Sequence, residues 1–472
     1  MTPTASNSTV PCVANTNSVT ATGSDTRSGW WSAVRGRSQF VVNVVSNAGG
    51  SSLNSILQLL LLLALGRLLE NSVYATYFTA CSIIAIGEVA SDFGTRLWAV
   101  RRFAGSENAR QTFHDCVSNK LLFSLLAVAV LGLLPINTLP FSALVLSVMV
   151  ATTQPSSDPF LWYLRGKERL DIEAGLVLGC RIAIVATLIG AALFDIQLTT
   201  LLLVWLACNV VRMVAESRLD ICRPLFAASD TKPVDFGNVW KNVRDVAPIG
   251  VSLVLAPMFT QSALLFVTIY GTDTSVTQFG AAFRLVLAAG FVGTSIVVSS
   301  FARLSKAIDG DDQQACHKII RTKFLLLTVA LIPICIGGML LSVPVATLVA
   351  ELTQKPDLAT AGGVMMLLMP GLYLSCMNMG AKFTLNAFGL NRQDVLAMLI
   401  GFVTLVVAFQ LTPLLSLPIR AALCWTAGEL AVLISRLTFL KVQNRLQGVP
   451  IALIGGALVT LVLLAGSLHS NF

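Results

Sequence analysis

From about residue 40 onward, long apolar runs alternate with short polar breaks. A bilayer core ~30 Å thick is crossed by a helix of ~20 mostly apolar residues, and about thirteen runs qualify. They centre near residues 53, 88, 125, 151, 183, 208, 257, 289, 335, 372, 404, 429 and 458. Lys and Arg gather in every second break: Arg101, Arg102 and Arg110, then Arg165, Lys167 and Arg169, then Arg218, Arg223, Lys232, Lys241 and Arg244. The series continues with Arg303, Lys306, Lys318, Arg321 and Lys323, then Arg392, then Lys441 and Arg445, whereas the intervening breaks hold only Arg67, Lys355 and Arg420. Positively charged loops stay cytoplasmic. The pattern therefore predicts an all-α polytopic membrane protein whose N-terminus is cytoplasmic.

Composition agrees: 55% of residues are hydrophobic, 12% are charged, and the mean hydropathy is +0.77. Soluble domains carry about twice that share of charge. With nearly the whole chain spent on spanning, a folded soluble domain is excluded. The net charge of +8 is accounted for by topology, so no nucleic-acid partner is expected. Residues 1–39 are rich in Ser, Thr and Asn and lack an apolar run before a cleavage site, which predicts a disordered cytoplasmic tail and not a signal peptide. The same hydroxyl-rich, acid-poor composition also fits a transit peptide. Trp30, Trp31, Arg35 and Arg37 suit an interfacial anchor before the first span.

The longest polar interruption, 221–242, predicts a cytoplasmic linker between an N-lobe of six spans (40–220) and a C-lobe of six (243–441). An even number of spans returns the chain to its starting side, so the lobes form a parallel pseudo-repeat. "SVYATYFTA" (72–80) and "SVTQFGAAFR" (275–284) open the second span of each lobe and echo one another. A thirteenth span is expected at 449–468. Proline interrupts several spans, at Pro155, Pro159, Pro248, Pro257, Pro333, Pro344 and Pro370, where kinks free backbone carbonyls.

Polar residues inside these spans are costly and so informative. On the first span Asn43, Asn47, Ser51, Asn54 and Gln58 recur every three or four residues and draw one polar stripe. Such a stripe either glues helices together or lines a wet face, where amides and hydroxyls partner sugar hydroxyls. On the second span, taken as one helix over ~74–102, Glu88, Asp92 and Arg96 fall on one face. Charges at this depth cost ~2.5–3.5 kcal/mol or more each, so they should face an interior cavity or one another. Asp92 and Arg96 form either a neutralising pair or part of a coupling site, and Glu88 is the first candidate for a protonatable coupling group. The other charges in or near spans are Lys120, Arg181, Arg212, Arg284, Lys382 and Arg436, with Glu429 the one obvious counter-charge of the second half. Lys120 and Arg436 are expected to snorkel; Arg181 and Arg284 lie too deep. Surplus guanidinium points to anionic cargo, phosphate above all.

Three stretches resemble a known group. "GEVASDFGTRLWAVRRFAG" (87–105) is similar to the second-helix signature of polysaccharide exporters, with its D-[LF]-G followed by basic residues. "LWYLRGKERLDIEAGLVLGCRIAIV" (161–185) resembles their fourth-to-fifth helix connection, and "VGTSIVVSSFARLSKAIDGDDQQACHKIIRTKFLLL" (292–327) their eighth-to-ninth. Over about residues 38–441 the chain is thus similar to the Wzx-like oligosaccharide flippases of the multidrug/oligosaccharidyl-lipid/polysaccharide (MOP) exporter superfamily. The resemblance implies two six-helix lobes of MATE-like fold around a central cavity in a bacterial inner membrane. It also implies flipping of a polyprenyl-pyrophosphate-linked oligosaccharide, driven by a proton or sodium gradient. Arg181 and Arg284 match the family's helix-five and helix-eight arginines. Two departures stand out: Gln261-Ser262-Ala263 replaces a frequent acidic residue of helix seven, and Leu69-Glu70-Asn71-Ser72-Val73 replaces the usual Leu-Gly-Pro/Ser turn.

These readings converge on alternating-access transport of a lipid-linked oligosaccharide. Arg181, Arg212 and Arg284 are expected to meet phosphate, Asn43, Asn47, Asn54 and Gln58 to meet sugar, and Glu88, Asp92 and Glu429 to be the ion-coupling candidates. Membrane lipids, glycosyltransferases and a polysaccharide polymerase are the partners this implies. The alternatives are a drug or organic-cation antiporter of the same superfamily, whose cargo favours acidic, aromatic walls, and a membrane polymerase or ligase. The short outer loops and the placement of His114, His317 and His469 in loops or the tail speak against an enzyme. The ten cysteines are scattered without a CxxC pair, so neither disulfides, a metal site nor a cofactor is expected.

Overall fold

The computed structural model describes residues 53–105, 109–132, 139–153, 158–167, 169–194, 197–225 and 236–442. The tail (1–39), Asn43, Asn47 and the expected span at 449–468 lie outside the described residues. Among those described, the chain is all helix: α1 (Leu53–Leu68), α2 (Asn71–Asp92), α3 (Thr95–Gly105), α4 (Ala109–Gly132), α5 (Phe141–Thr153), α6 (Asp158–Gly166), α7 (Leu170–Ala192) and α8 (Leu198–Ser217) form the first half. A short 3-10 turn, Asp220–Leu225, ends it. The second half holds α9 (Phe236–Tyr270), α10 (Asp273–Ala289), α11 (Phe291–Asp309), α12 (Gln313–Leu340), α13 (Ser342–Thr353), α14 (Ala361–Ala387), α15 (Asn391–Leu411) and α16 (Leu417–Val442). Among the described residues, nine segments are long and apolar enough to cross a membrane. The helix α9 begins at Phe236, inside the stretch 221–242 read as linker.

The second span is not one helix. Phe93 and Gly94 both adopt the left-handed backbone region, with φ of 38° and 78°, and end α2. The Asp92 carboxylate then accepts the backbone N–H of Arg96 at 3.3 Å, capping α3 as an acidic side chain at a helix start does. The expected single face bearing Glu88, Asp92 and Arg96 is therefore broken after Asp92. Elsewhere ordinary caps act: Thr272 accepts from the Ser275 amide to open α10, and Asp312 from the Ala315 amide to open α12. The helices α12 and α14 run on through Pro333 and Pro370.

The spine of the molecule is α2, which packs against α4 and α5 of its own half and against α9 and α10 of the other. Hydroxyls and an amide tie it across: Thr79 to Thr268 at 3.1 Å and Ser82 to the Gln261 amide oxygen at 3.0 Å. Gln261, standing where helix seven of the resembling family is often acidic, thus serves the interface between halves. Glycines let this approach happen. A Cβ at Gly280 would sit 2.6 Å from the Phe78 ring, and one at Gly250 would sit 2.5 Å from the Phe93 carbonyl oxygen. Small residues at helix crossings are the usual device in lipid, where dispersion contacts drive packing.

Two buried cores result. The larger runs through both halves; a smaller one, formed by Ala99, Phe103, Phe113, Phe160, Trp162 and Tyr163 among others, joins α3, α4, α6 and the 3-10 turn. The halves also repeat chemically. Gln111, His114 and Lys120 on α4 recur at the same spacing as Gln314, His317 and Lys323 on α12, and Gly166-x-x-Arg169-x-Asp171 recurs as Gly389-x-x-Arg392-x-Asp394. Each repeated lysine grips the span that follows it. Lys120 bonds Asp158 at 3.3 Å over the Trp162 ring, and Lys323 donates to the Gly380 carbonyl at 2.8 Å.

Candidate functional site

A cavity of about 230 Å³ opens between the halves. Its polar wall is assembled from five helices: Gln58 on α1, Glu88 on α2, Arg181 on α7, Trp205 on α8 and Arg284 on α10. Tyr77 and Cys81 of α2 complete that side, and Leu and Ile side chains fill the rest. Residues far apart in sequence meet because α2 crosses between the halves and carries Tyr77, Cys81, Ala85 and Glu88 on one stripe, three or four residues apart.

Three donors in this wall lack a hydrogen-bond partner among the described residues: Nε of Arg181, Nη2 of Arg284 and Nε1 of Trp205. An unsatisfied buried donor costs ~1–3 kcal/mol, more when it is charged. Three such donors, on side chains that line one space, make a surface that gains from an acceptor-rich guest. With two guanidiniums against the Glu88 carboxylate, the wall carries an excess of positive charge. Guanidinium pairs with carboxylate or phosphate oxygens through two parallel bonds.

The other expected site residues lie elsewhere. Asn54 is half-buried one turn before Gln58 and is not part of the cavity lining. Arg212 is engaged by Glu216 at 2.8 Å and by Asp158 at 3.8 Å. Asp92 caps α3. Glu429, 4% exposed, accepts from the Asn378 amide at 2.6 Å within the second half. The two side chains expected to snorkel do the opposite. Lys120 and Arg436 are each 3% exposed, because each has a carboxylate in reach, the partly buried Asp158 and the fully buried Asp394. Asp394, missed as a second counter-charge beside Glu429, is fully buried and holds Arg436 at 2.7 Å while the Ser252 hydroxyl also donates to it. Arg436 donates further to the Asn378 carbonyl at 3.0 Å, so α9, α14, α15 and α16 share one polar knot. Trp205 carried no sequence signal, since an aromatic in an apolar span reads as core. Among the described residues no cluster of His, Cys, Asp and Glu has the form of a metal site.

No family model and no curated protein matches the chain. Solved structures do. A point mutant of the Vibrio cholerae MATE transporter VcmN aligns with a TM-score of 0.64 at 14% identity, over 86% of this chain and 98% of that one. The lipid II flippase MurJ, in an inward closed conformation, aligns with a TM-score of 0.62 at 13% identity over 92% and 93%. An inward-facing multidrug resistance MATE transporter of the MOP superfamily aligns at 0.61 and 13%, over 83% and 95%. At such identities the likeness establishes the fold: an all-helical, MATE-like membrane architecture. Each of these neighbours is a transporter or a flippase.

Proposed function

We propose that this chain flips a polyprenyl-diphosphate-linked oligosaccharide across the membrane by alternating access of the cavity between its halves. The observation that carries the proposal is the pair of guanidiniums, Arg181 and Arg284, sharing that cavity with buried N–H groups unpartnered among the described residues. A diphosphate supplies the acceptors they lack and the negative charge that balances them. Gln58 stands ready for a sugar hydroxyl, and Glu88, in the same wall, is the group through which a proton or sodium ion would couple. The Lys/Arg bias supports a cytoplasmic N-terminus, and the resemblance to Wzx-like flippases supports a bacterial inner membrane. Likeness to the lipid II flippase MurJ supports the same reading.

The rival reading, drug or organic-cation export, draws support from Glu88, Tyr77 and Trp205 in the wall and from the equally good match to MATE transporters. The charge balance of the cavity favours an anion. In cells that make a surface polysaccharide through this protein, Arg181→Ala and Arg284→Ala should each remove most surface polymer while leaving protein levels unchanged. Normal export in both variants would overturn the proposal.

A further inference from the structure

The third unpartnered donor of the cavity is not explained by a phosphate. Trp205 is 7% exposed, its ring forms wall, and its Nε1–H has no partner among the described residues. A buried indole ordinarily finds an acceptor. One turn along the same buried face of α8 sits Asn209. It is 1% exposed, and both ends of its amide are unpartnered among the described residues. The buried face of α8 therefore carries a flat aromatic ring in the cavity wall, one N–H, and, one turn on and outside the cavity lining, one complete amide, all without a hydrogen-bond partner among the described residues. A membrane helix leaves such groups unpaired at a cost unless a guest satisfies them.

The guest these groups suit has an apolar face to lie on a ring and hydroxyls around its rim to exchange hydrogen bonds. A pyranose has both. A phosphate has only acceptors, a polyprenyl tail has neither, and an organic cation has no use for two further donors beside two guanidiniums. We infer that Trp205 is the platform for the sugar attached directly to the phosphate, with Asn209 as the next polar group along α8. This rests on the functional reading above and adds to it: recognition of the glycan sits on α8 as well as on the α1 stripe.

The test uses full-length protein in lipid nanodiscs and two probes, undecaprenyl diphosphate and undecaprenyl diphosphate carrying a single hexose, offered as glucose, galactose and N-acetylglucosamine forms. Wild type should bind at least one glycosylated probe about tenfold tighter than the bare one, the size of one good hydrogen bond plus packing. Trp205→Leu should erase that preference, so that the glycosylated probes bind no tighter than undecaprenyl diphosphate does to the same variant. Trp205→Phe, which keeps a ring of similar bulk and loses the N–H, should retain part of the preference, and Asn209→Leu should weaken it. A preference that survives Trp205→Leu, or none in wild type for any sugar, overturns the inference and leaves the diphosphate reading standing. Wild type that binds neither kind of probe overturns both.

Discussion

The Lys355 ammonium donates to the Leu69 carbonyl at 2.7 Å, reaching from the second half of the chain to the end of α1 in the first. It donates also to Asn71 Oδ1 at 2.6 Å, at the start of α2. Beside it the Thr353 methyl lies where a Cβ at Gly66 would come within 2.7 Å. On the orientation that the Lys/Arg bias predicts, this contact fastens the outer mouth. Replacing Lys355 with Met should move the equilibrium toward outward opening. Spin labels at Ser72 and Glu351 would report it as a gain in the longer distance population, and an unaltered distribution would show that the contact holds nothing shut.

Burial pushes the Lys355 amine below the ordinary 10.5, against the smaller opposing pull of Glu70 and Asp357. The lowered value belongs to the closed arrangement, and an exposed lysine in the open one keeps the ordinary value. Protons therefore favour the open form, and removing them favours the closed one. The closed population measured with the same labels should rise as pH climbs through the window below 10.5, and this pH dependence should vanish in Lys355→Met.

The Asp394–Arg436 pair makes a stability prediction. Losing one partner of a buried ion pair strands the other, at about 3–5 kcal/mol. Asp394→Asn and Arg436→Met should each lower the thermal midpoint of the purified protein, and the double variant Asp394→Leu/Arg436→Met should regain most of the loss. Additive losses would mean the two side chains act separately.

Gly250 and Gly179 form a matched pair of tests. A methyl on Gly250 would strike the Phe93 carbonyl and ring, while one on Gly179 meets nothing within 4 Å. Gly250→Ala should cost about 1–3 kcal/mol by forcing α9 off the end of α2. Gly179→Ala should be neutral or stabilising by up to about 1 kcal/mol, from helix propensity alone. Chemical or thermal unfolding of both variants decides it.

Cys81 offers a direct test of whether the cavity is wet. In a variant keeping Cys81 as its single thiol, a charged methanethiosulfonate reagent should label it, and undecaprenyl diphosphate should slow the labelling. Complete protection in the absence of any ligand would mean a dry, closed centre.

Much of this was legible before the fold was known. Gln58, Glu88, Arg181 and Arg284 were singled out because polar groups are expensive in apolar spans, and all four line one cavity. Lys120 and Arg436 do not snorkel for a common reason: their partners, Asp158 and Asp394, lie in other helices, and no local periodicity announces them. The break at Phe93–Gly94 was hidden because Phe looks like any span residue and a single Gly is common in membrane helices. Gln111, His114 and Lys120 against Gln314, His317 and Lys323 is a firmer echo than the opening of the second spans, and it lies in plain sequence.

The separate small core of α3, α4 and α6 has a mechanical consequence. Its aromatic side chains pack on one another, while α4 also packs on α2, α5 and α9, so a turn at the Phe93–Gly94 joint would be felt in the main packing through α4. At the opposite end the ammonium of Lys355, the tip of α1 and the start of α2 belong to the body itself, and must part together. One end thus turns at a two-residue left-handed joint, and the other is held by an ammonium that two chain segments share.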